Sequence, residues 1–433
     1  MSRPLAVVCL AAGLGKRTKV SIPKVLLPLC GRTLLACSLD ATDTLNPQRT
    51  IVVVHHQKEK VIASVADRAN TVCVDQGKPL GTGHAVKVAM QALADFDGDV
   101  LVTYGDCPLI AGMTLQQLVA SRGFAPCSVL TAYPEDPSGL GRILRDDDGR
   151  FVGIREDRDC DDEQRAIDEI NAGFYCFDAK TLRPALEKLQ PNNAQGELYL
   201  TDVIAQFVAA GREVPTLEAE DSGDIQGVNS LADLAMARVV MQERILLEHL
   251  MRGVMIEDPS STYIDFGVEI GADTRILPCT VIGKGCKIGS HCEVGPFAHL
   301  RAGTVLEDGA EIGNFVEAKK SHLGAGSKAK HLTYLGDAVV GAKANIGAGT
   351  ITANYDGVNK HTTRIGDGCF VGSGTVIVAP SDLGARSMTG AGAVVKRGSK
   401  IGADEVWVGV PAKLLKQRDP ATIKPSNQAK ETR

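Results

Sequence analysis

Hydrophobic and polar positions follow two different rhythms along this chain of 433 residues. In the first half, continuous apolar runs such as LAVVCLAAG (5–13), TIVVVHH (50–56), TVCVDQ (71–76) and DVLVTYGD (99–106) alternate with stretches of helical character. Strands without polar alternation are buried on both faces, so this order predicts a parallel sheet with crossover helices, a Rossmann-like α/β domain over residues 1–228. Ser230 is a natural N-cap, and residues 231–253 contain no Pro and reach Gly only at their end. They predict one long helix within a linker over 229–253.

Beyond residue 268 the period becomes six. Ile270, Ile276, Ile282, Ile288, Val294, Leu300, Leu306 and Ile312 recur without a break. The phase resets at Val340 and Ile346 and resumes at Ile365, Val371, Ile377, Leu383, Val395 and Ile401, with Thr389 interrupting the aliphatic series. A six-residue unit supplies one short strand and one inward side chain, so stacked units form a parallel β-helix over 254–411. No unit can bury its face alone. The two phase breaks, about 319–338 and 352–363, are expected as loops at the corners of the prism. They hold Lys319, Lys320, His322, Lys328, Lys330, His331, Tyr334, Asn354, Tyr355, Lys360 and His361.

Composition narrows the class. Hydrophobic residues make up 44% and charged residues 23%, which excludes wholesale disorder, and a net charge of -5 advertises no nucleic-acid partner. Aromatic residues are only 4%, as a narrow prism requires. The longest apolar stretch, Leu5 to Ala12, falls short of the roughly 20 residues that cross a bilayer, and a buried first strand explains it better than a secretory signal. The 12 cysteines form no C-x-x-C pair and read as small buried hydrophobes in a reducing compartment. A cytoplasmic protein without a membrane segment is expected, ending in a polar, basic tail over 412–433.

The first strand runs into Leu10-Ala11-Ala12-Gly13-Leu14-Gly15-Lys16-Arg17, followed by Pro23-Lys24. A Gly-rich turn with nearby cations suits a phosphate. The P-loop pattern fails, because Leu10 stands where its first Gly is needed and Arg17 follows Lys16. The dinucleotide fingerprint fails at Thr18. The loop instead resembles the signature of nucleoside-triphosphate:sugar-1-phosphate nucleotidyltransferases. Gln76, Leu80-Gly81-Thr82-Gly83-His84, Tyr104-Gly105-Asp106, Gly139-Leu140-Gly141-Arg142, Glu156, Glu169-Ile170-Asn171-Ala172-Gly173 and Gly227-Val228-Asn229 extend the match. In the second half, Gly295-Pro296-Phe297, Arg301, the run from Gly313 to Lys320, the run from Gly326 to Asp337, Asn345 to Thr350, Asn354-Tyr355-Asp356-Gly357, Lys360 and Phe370-Val371-Gly372-Ser373 match too. Together they resemble the bifunctional N-acetylglucosamine-1-phosphate uridyltransferase/glucosamine-1-phosphate N-acetyltransferase family.

The resemblance implies a nucleotidyltransferase domain followed by a left-handed β-helix with about eighteen residues per coil. It implies that acetyl-CoA and UTP serve as co-substrates and that Mg2+ is held by Asp106 and Asn229. Lys24 and Arg17 would offset phosphate charge. Leu10, Ala11, Ala12, Gly13, Gln76, Gly81 and Thr82 would line the nucleotide side with Tyr104 and Gly105, while Gly141, Glu156, Asn171 and Thr201 contact the sugar. His331 matches the acetyltransfer base, a task suited to an imidazole, with Glu317 orienting it. Arg301, Lys319, Tyr334, Asn345 and Lys360 match contacts to glucosamine phosphate; Ala348, Asn354, Tyr355, Ser373 and Ala391 match contacts to acetyl-CoA. His322 and His361 match nothing and are expected as solvated loop residues. Gly409 stands where the family carries Arg, so Lys413 or Lys416 is left as the cation nearest that place. The resemblance further implies a homotrimer and a product, UDP-N-acetylglucosamine, that feeds bacterial cell-envelope synthesis. The alternative is a single-activity sugar nucleotidyltransferase whose β-helix only trimerises or regulates it.

Overall fold

The computed structural model describes residues 3–417 apart from 14, 16 and 194. Lys16 and the tail from 418 onward therefore lie outside the described residues. The chain divides into two compact units, Met1–Val240 and Met241–Arg433, with the division falling inside the long helix Leu231–Met251.

In the first unit the sheet order is Thr216–Glu218, Cys127–Ala132, Ile170–Asp178, Asp99–Tyr104, Leu5–Leu10, Arg49–Val54, Thr71–Asp75. Leu5–Leu10 is central and parallel to both neighbours. All six of its residues are buried. Ala6, Val8 and Leu10 pack into one cluster, whereas Leu5 and Val7 face a second and Cys9 a third. Burial on both faces explains the unbroken apolar run. The sheet is mixed rather than wholly parallel, because Ile170–Asp178 runs antiparallel to both Asp99–Tyr104 and Cys127–Ala132. Its register shifts between Asn171 and Tyr175, where Gly173 takes φ 85. The disruption follows directly on Asn171, which still pairs with Thr131, at the carboxyl edge of the sheet, where open α/β folds bind ligands.

The second unit is a parallel β-helix of three stacked sheets. The first face begins at Met255–Ile256, the second at Tyr263–Ile264 and the third at Glu269–Ile270, and each passes to the next in strict rotation. Ile276, Ile282, Ile288, Val294, Leu300, Leu306 and Ile312 are buried. Thr389 holds an inward place as well, 3% exposed, where its Oγ1 accepts Gly372 N–H at 3.0 Å and lies 3.0 Å from Thr375 Oγ1.

One expectation is corrected here. Residues 319–338 are not a loop insertion but regular β-helix, carrying the strands Glu317–Lys319, His322–Leu323, Lys328–His331 and Tyr334–Gly336. The phase resets because the turn from second to third face loses one residue in two successive coils. The inward residues Ala318 and Leu323 lie five apart, as do Leu335 and Val340. Lys320 (φ 47) and Asp337 (φ 47) take left-handed backbone at these shortened turns. In the next coil the same corner expands, so that Val339 pairs with Arg364 across an inserted loop at 354–362. All three irregularities thus stack on one edge. At the far end, Glu405–Val408 turns at Gly409 (φ 94) and pairs antiparallel with Lys413–Gln417, so the start of the expected tail is an exposed strand.

Candidate active sites

In the first unit, a cavity of about 290 Å³ opens at the carboxyl ends of the central strands. Leu10, Ala11, Ala12, Gly13, Lys24, Gln76, Gly81, Thr82, Tyr104 and Asp106 all line it. The loop after Leu10 leaves the sheet with Ala11 N–H on Val53 C=O at 2.9 Å and Gly105 N–H on Leu10 C=O at 3.0 Å. A Cβ on Gly105 would sit 2.9 Å from Leu35 Cδ1 and 3.3 Å from Ala11 Cβ, so only glycine lets this strand end approach the loop. Gly81 has φ 108, and a Cβ there would meet Leu198 C=O at 2.5 Å. Gln76 is buried at this rim and donates Nε2–H to Gly81 C=O at 3.1 Å. Its other amide terminus is the acceptor that can answer a nucleobase N–H.

At the floor, Lys24 Nζ donates to Asn229 Oδ1 at 2.9 Å and to Asp106 Oδ2 in a short ion pair. Val228 N–H on Asp106 C=O at 2.8 Å brings the two oxygen donors together, although they are far apart in sequence. The Asn229 amide is aimed by its Nδ2 on Gly227 C=O at 3.3 Å, and its backbone N–H is held by Asp233 Oδ2 at 2.8 Å. Asp233 also accepts Ser230 N–H while Ser230 Oγ accepts Asp233 N–H, a reciprocal cap that anchors the segment to the long helix. One carboxylate and one amide oxygen converging on a single cation suit Mg2+, which prefers hard oxygen donors and fills its remaining sites with phosphates and water.

Beside the cavity, Thr201 Oγ1 donates to Glu156 Oε1 at 3.0 Å, and Gly141 C=O accepts Asn171 N–H at 2.8 Å. A Cβ on Gly141 would lie 3.5 Å from Glu156 Oε2, so this glycine borders the carboxylate closely. Burial pushes the Glu156 carboxyl above its ordinary pKa, and the Thr201 hydroxyl partly opposes that shift. The four residues matched to the sugar are thus brought together. Arg17 is not with Lys24: it is exposed and lines a neighbouring hollow of about 460 Å³ together with Glu156 and Arg158.

On the β-helix, the residues matched to acetyl transfer fall on two edges. His331 is exposed at the turn from first to second face. Successive coils stack on it: Gly349 N–H reaches His331 C=O at 3.4 Å, Gly374 N–H reaches Ala348 C=O at 2.7 Å, and Gly392 N–H reaches Ser373 C=O at 2.8 Å. His331, Ala348 and Ser373 therefore form a row along the prism axis. Ala391 lies against the same row, since a Cβ on Gly372 would touch its backbone N at 2.7 Å. Gly409 occupies the next coil, because Thr389 pairs with Trp407. Lys413 and Lys416 project from the terminal strand beyond it. Asn345 lies on the first face, in register with Lys328.

At the opposite edge, Lys319 Nζ reaches Asp337 Oδ2 at 3.0 Å, and Asn354 Nδ2 donates to the same oxygen. Tyr334 and Asn354 reach over Gly336, where a Cβ would lie 2.7 Å from the Tyr334 hydroxyl and 2.7 Å from Asn354 Nδ2. Lys360 and Tyr355 belong to the inserted loop and pair with each other through the backbone. Between the two edges, Glu317 is engaged by Arg301 Nη1 at 3.0 Å. It sits on the second face, while His331 occupies the corner. His322 is not a loop residue; it lies on a strand and pairs with Glu307 at 2.7 Å. His361 is in the loop but is held by Asp356 at 2.7 Å and by Arg397 at 3.1 Å. The cavity-lining Val25, Pro79, Ala85 and Glu197 were not foreseen from sequence, and Asp337, although inside a matched run, was given no role there. The five-residue spacing from Leu335 to Val340 was the signal for Asp337.

Comparison with known proteins places a MobA-like NTP transferase domain on residues 7–206 and bacterial transferase hexapeptide repeats on 285–319. The chain is 44% identical over 430 residues to the bifunctional protein GlmU of Pelobacter propionicus, covering 91% of this chain and 93% of that protein. It is 42% identical over 439 residues to bifunctional protein GlmU of Pseudarthrobacter chlorophenolicus, covering 92% and 89%. With the protein of that name from Corynebacterium diphtheriae, identity is 41% over 445 residues, covering 93% and 92%.

Proposed function

We propose, from the premise that this chain belongs to the family of bifunctional GlmU proteins, a division of labour between its two units. The chain is a bifunctional transferase that makes UDP-N-acetylglucosamine, acetylating glucosamine-1-phosphate from acetyl-CoA and then transferring uridylyl from UTP with release of pyrophosphate. Its second unit is the left-handed hexapeptide β-helix of such enzymes. Membership of this family weighs against a purely structural β-helix.

In the first unit, Gly13 and its neighbours hold the nucleotide in the cavity, Gln76 reads the base, and Glu156, Asn171 and Gly141 hold the sugar. Asp106 and Asn229 hold Mg2+. When bound, the ion neutralises triphosphate oxygens. Lys24 surrenders its present partners and turns its ammonium to the phosphates, and with Arg17 at the rim it stabilises charge at the transferring phosphorus. The sugar phosphate oxygen displaces pyrophosphate without a protein nucleophile, so orientation and electrostatics carry the rate. The single observation that supports this best is the convergence of the Asp106 and Asn229 oxygens on the Lys24 ammonium at the cavity floor.

In the second unit, His331 removes the proton of the sugar amine as it attacks the thioester carbonyl; the C–S bond then breaks and CoA leaves as the thiol, taking up the proton that His331 held. The row Ala348, Ser373, Ala391 supports acetyl-CoA along the prism axis, with Asn354 and Tyr355 also contacting it. Arg301, Lys319, Tyr334, Asn345 and Lys360 receive glucosamine phosphate. Because these groups stand on two edges of one prism, the reading takes each acetyltransfer site to be completed by a neighbouring copy, in a cytoplasmic homotrimer. The exposed, stacked rings of Phe297 and Phe315, 5.2 Å apart beside the His331 corner, are the surface that a neighbour would cover.

Two variants test the assignment. Asp106→Ala abolishes Mg2+-dependent pyrophosphate release from UTP and leaves acetyl-CoA consumption intact. His331→Ala does the reverse, cutting acetyl transfer by roughly 100-fold or more. Equal loss of both activities in either variant would refute two separate sites.

A further inference from the structure

Three successive turns from second to third face carry side chains that meet on one carboxylate. Lys319 comes from the first shortened turn, Asp337 from the second, and Asn354 from the start of the inserted loop above them. A single oxygen, Asp337 Oδ2, accepts both Lys319 Nζ at 3.0 Å and Asn354 Nδ2. The Asp337 backbone is tied in the same stack: its N–H donates to Lys319 C=O at 2.9 Å, and its C=O accepts Thr363 N–H at 3.3 Å. Lys319 and Asn354 are 9% and 6% exposed, so neither has much freedom to find another geometry.

We propose that Asp337 is the positioning residue of a phosphomonoester subsite, holding Lys319 in a fixed place and joining it through one shared oxygen to Asn354 on the acetyl-CoA side. This rests on the acetyltransfer reading above. The carboxylate offsets the Lys319 charge at contact, which leaves the Lys360 ammonium to face a dianionic phosphate. The Lys319 ammonium, helped by burial and Lys320, holds the Lys360 pKa below its ordinary value, although Asp337 pulls it upward. Partial burial would raise the Asp337 carboxyl, but hydrogen bonds from Lys319 and Asn354 and the two lysine charges outweigh it and hold it low. It therefore remains a carboxylate at neutral pH.

The near-isosteric Asp337→Asn separates positioning from charge. It removes a negative charge beside two lysines, so charge alone predicts tighter sugar-phosphate binding. Positioning predicts weaker binding, because the charge-assisted anchor of Lys319 is lost. In the full-length protein, the KM for glucosamine-1-phosphate in acetyl transfer is expected to rise about tenfold, with uridylyl transfer within about twofold of the parent. Asp337→Glu, which restores the carboxylate, is expected to recover at least about half of that loss on a logarithmic scale. An unchanged or lowered KM for the sugar phosphate in Asp337→Asn would overturn the inference, as would failure of Asp337→Glu to recover it. No acetyl transfer in the parent protein would overturn the reading beneath it as well.

Discussion

Glu156 and Thr201 show how one hydroxyl tunes a functional carboxylate. Burial raises the Glu156 pKa, and the 3.0 Å hydrogen bond from Thr201 opposes the rise by stabilising the anion. Thr201→Val removes the donor at nearly constant volume, so the Glu156 pKa must move further up. If the sugar is held by the ionised form, the acid limb of kcat/KM for uridylyl transfer shifts to higher pH. A several-fold loss at the acid end with little change near pH 8 is the expected result, and a pH–rate profile checks it. The place of Asp106 at the end of a buried strand was legible in the sequence, whereas the roles of Asp106 and Gln76 were implied only by the family resemblance. The pairing of Glu317 with Arg301 was not legible, because a side chain's partner depends on which residue the next coil brings opposite it, and a local motif does not contain that register.

The hexad alone says that Thr389 is a defect in an aliphatic column, and that Val would improve it. The structure reverses the sign. Thr389 Oγ1 accepts the buried Gly372 N–H and lies beside Thr375 Oγ1, so Thr389→Val leaves a donor without its acceptor. An unsatisfied buried N–H costs about 1–3 kcal/mol, and the added methyl recovers only part of that. A net destabilisation of about 1 kcal/mol is expected, seen as a lower urea midpoint with unchanged slope. The six-residue period predicted strands and inward residues well, since each inward side chain is a local, repeated requirement. It misread residues 319–338, because losing one residue per turn and inserting a loop both appear in sequence as a lost phase. Only the pairing of Val305 with His322 and of His322 with Val339 distinguishes the two.

At the scale of the whole molecule, the Phe297 and Phe315 rings are 50% and 58% exposed and both sit on left-handed backbone, at φ 55. Bulky side chains at such turns carry a conformational cost that solvent does not repay. Burial against a neighbouring copy would. On the homotrimer proposed above, Phe315→Glu is expected to shift the protein from three protomer masses toward one in sedimentation and to depress acetyl transfer by at least about tenfold, with uridylyl transfer retained. A variant that still sediments as a trimer with full acetyl transfer would argue against this face as the interface. Among the described residues, no helix is long and apolar enough to cross a membrane, in line with the short apolar runs of the sequence. Most of the 12 cysteines are buried, and burial drives the Cys37 thiol up to about 11. That agrees with their reading as small hydrophobes.

Periodicity and spacing by themselves determined the order of the two units and the inward columns of the prism, while the family resemblance of the motifs supplied most cavity residues. Those properties are local: a strand run, a glycine that must admit close approach, a side chain every sixth position. Tertiary structure alone decided that Lys24 spans Asp106 and Asn229, that Glu317 answers Arg301, and that Lys319, Asp337 and Asn354 share one oxygen. Each of those contacts joins residues from different strands or coils. Their meeting depends on sheet order and on the number of residues in every intervening turn, and that sum over the whole path is written in no single motif.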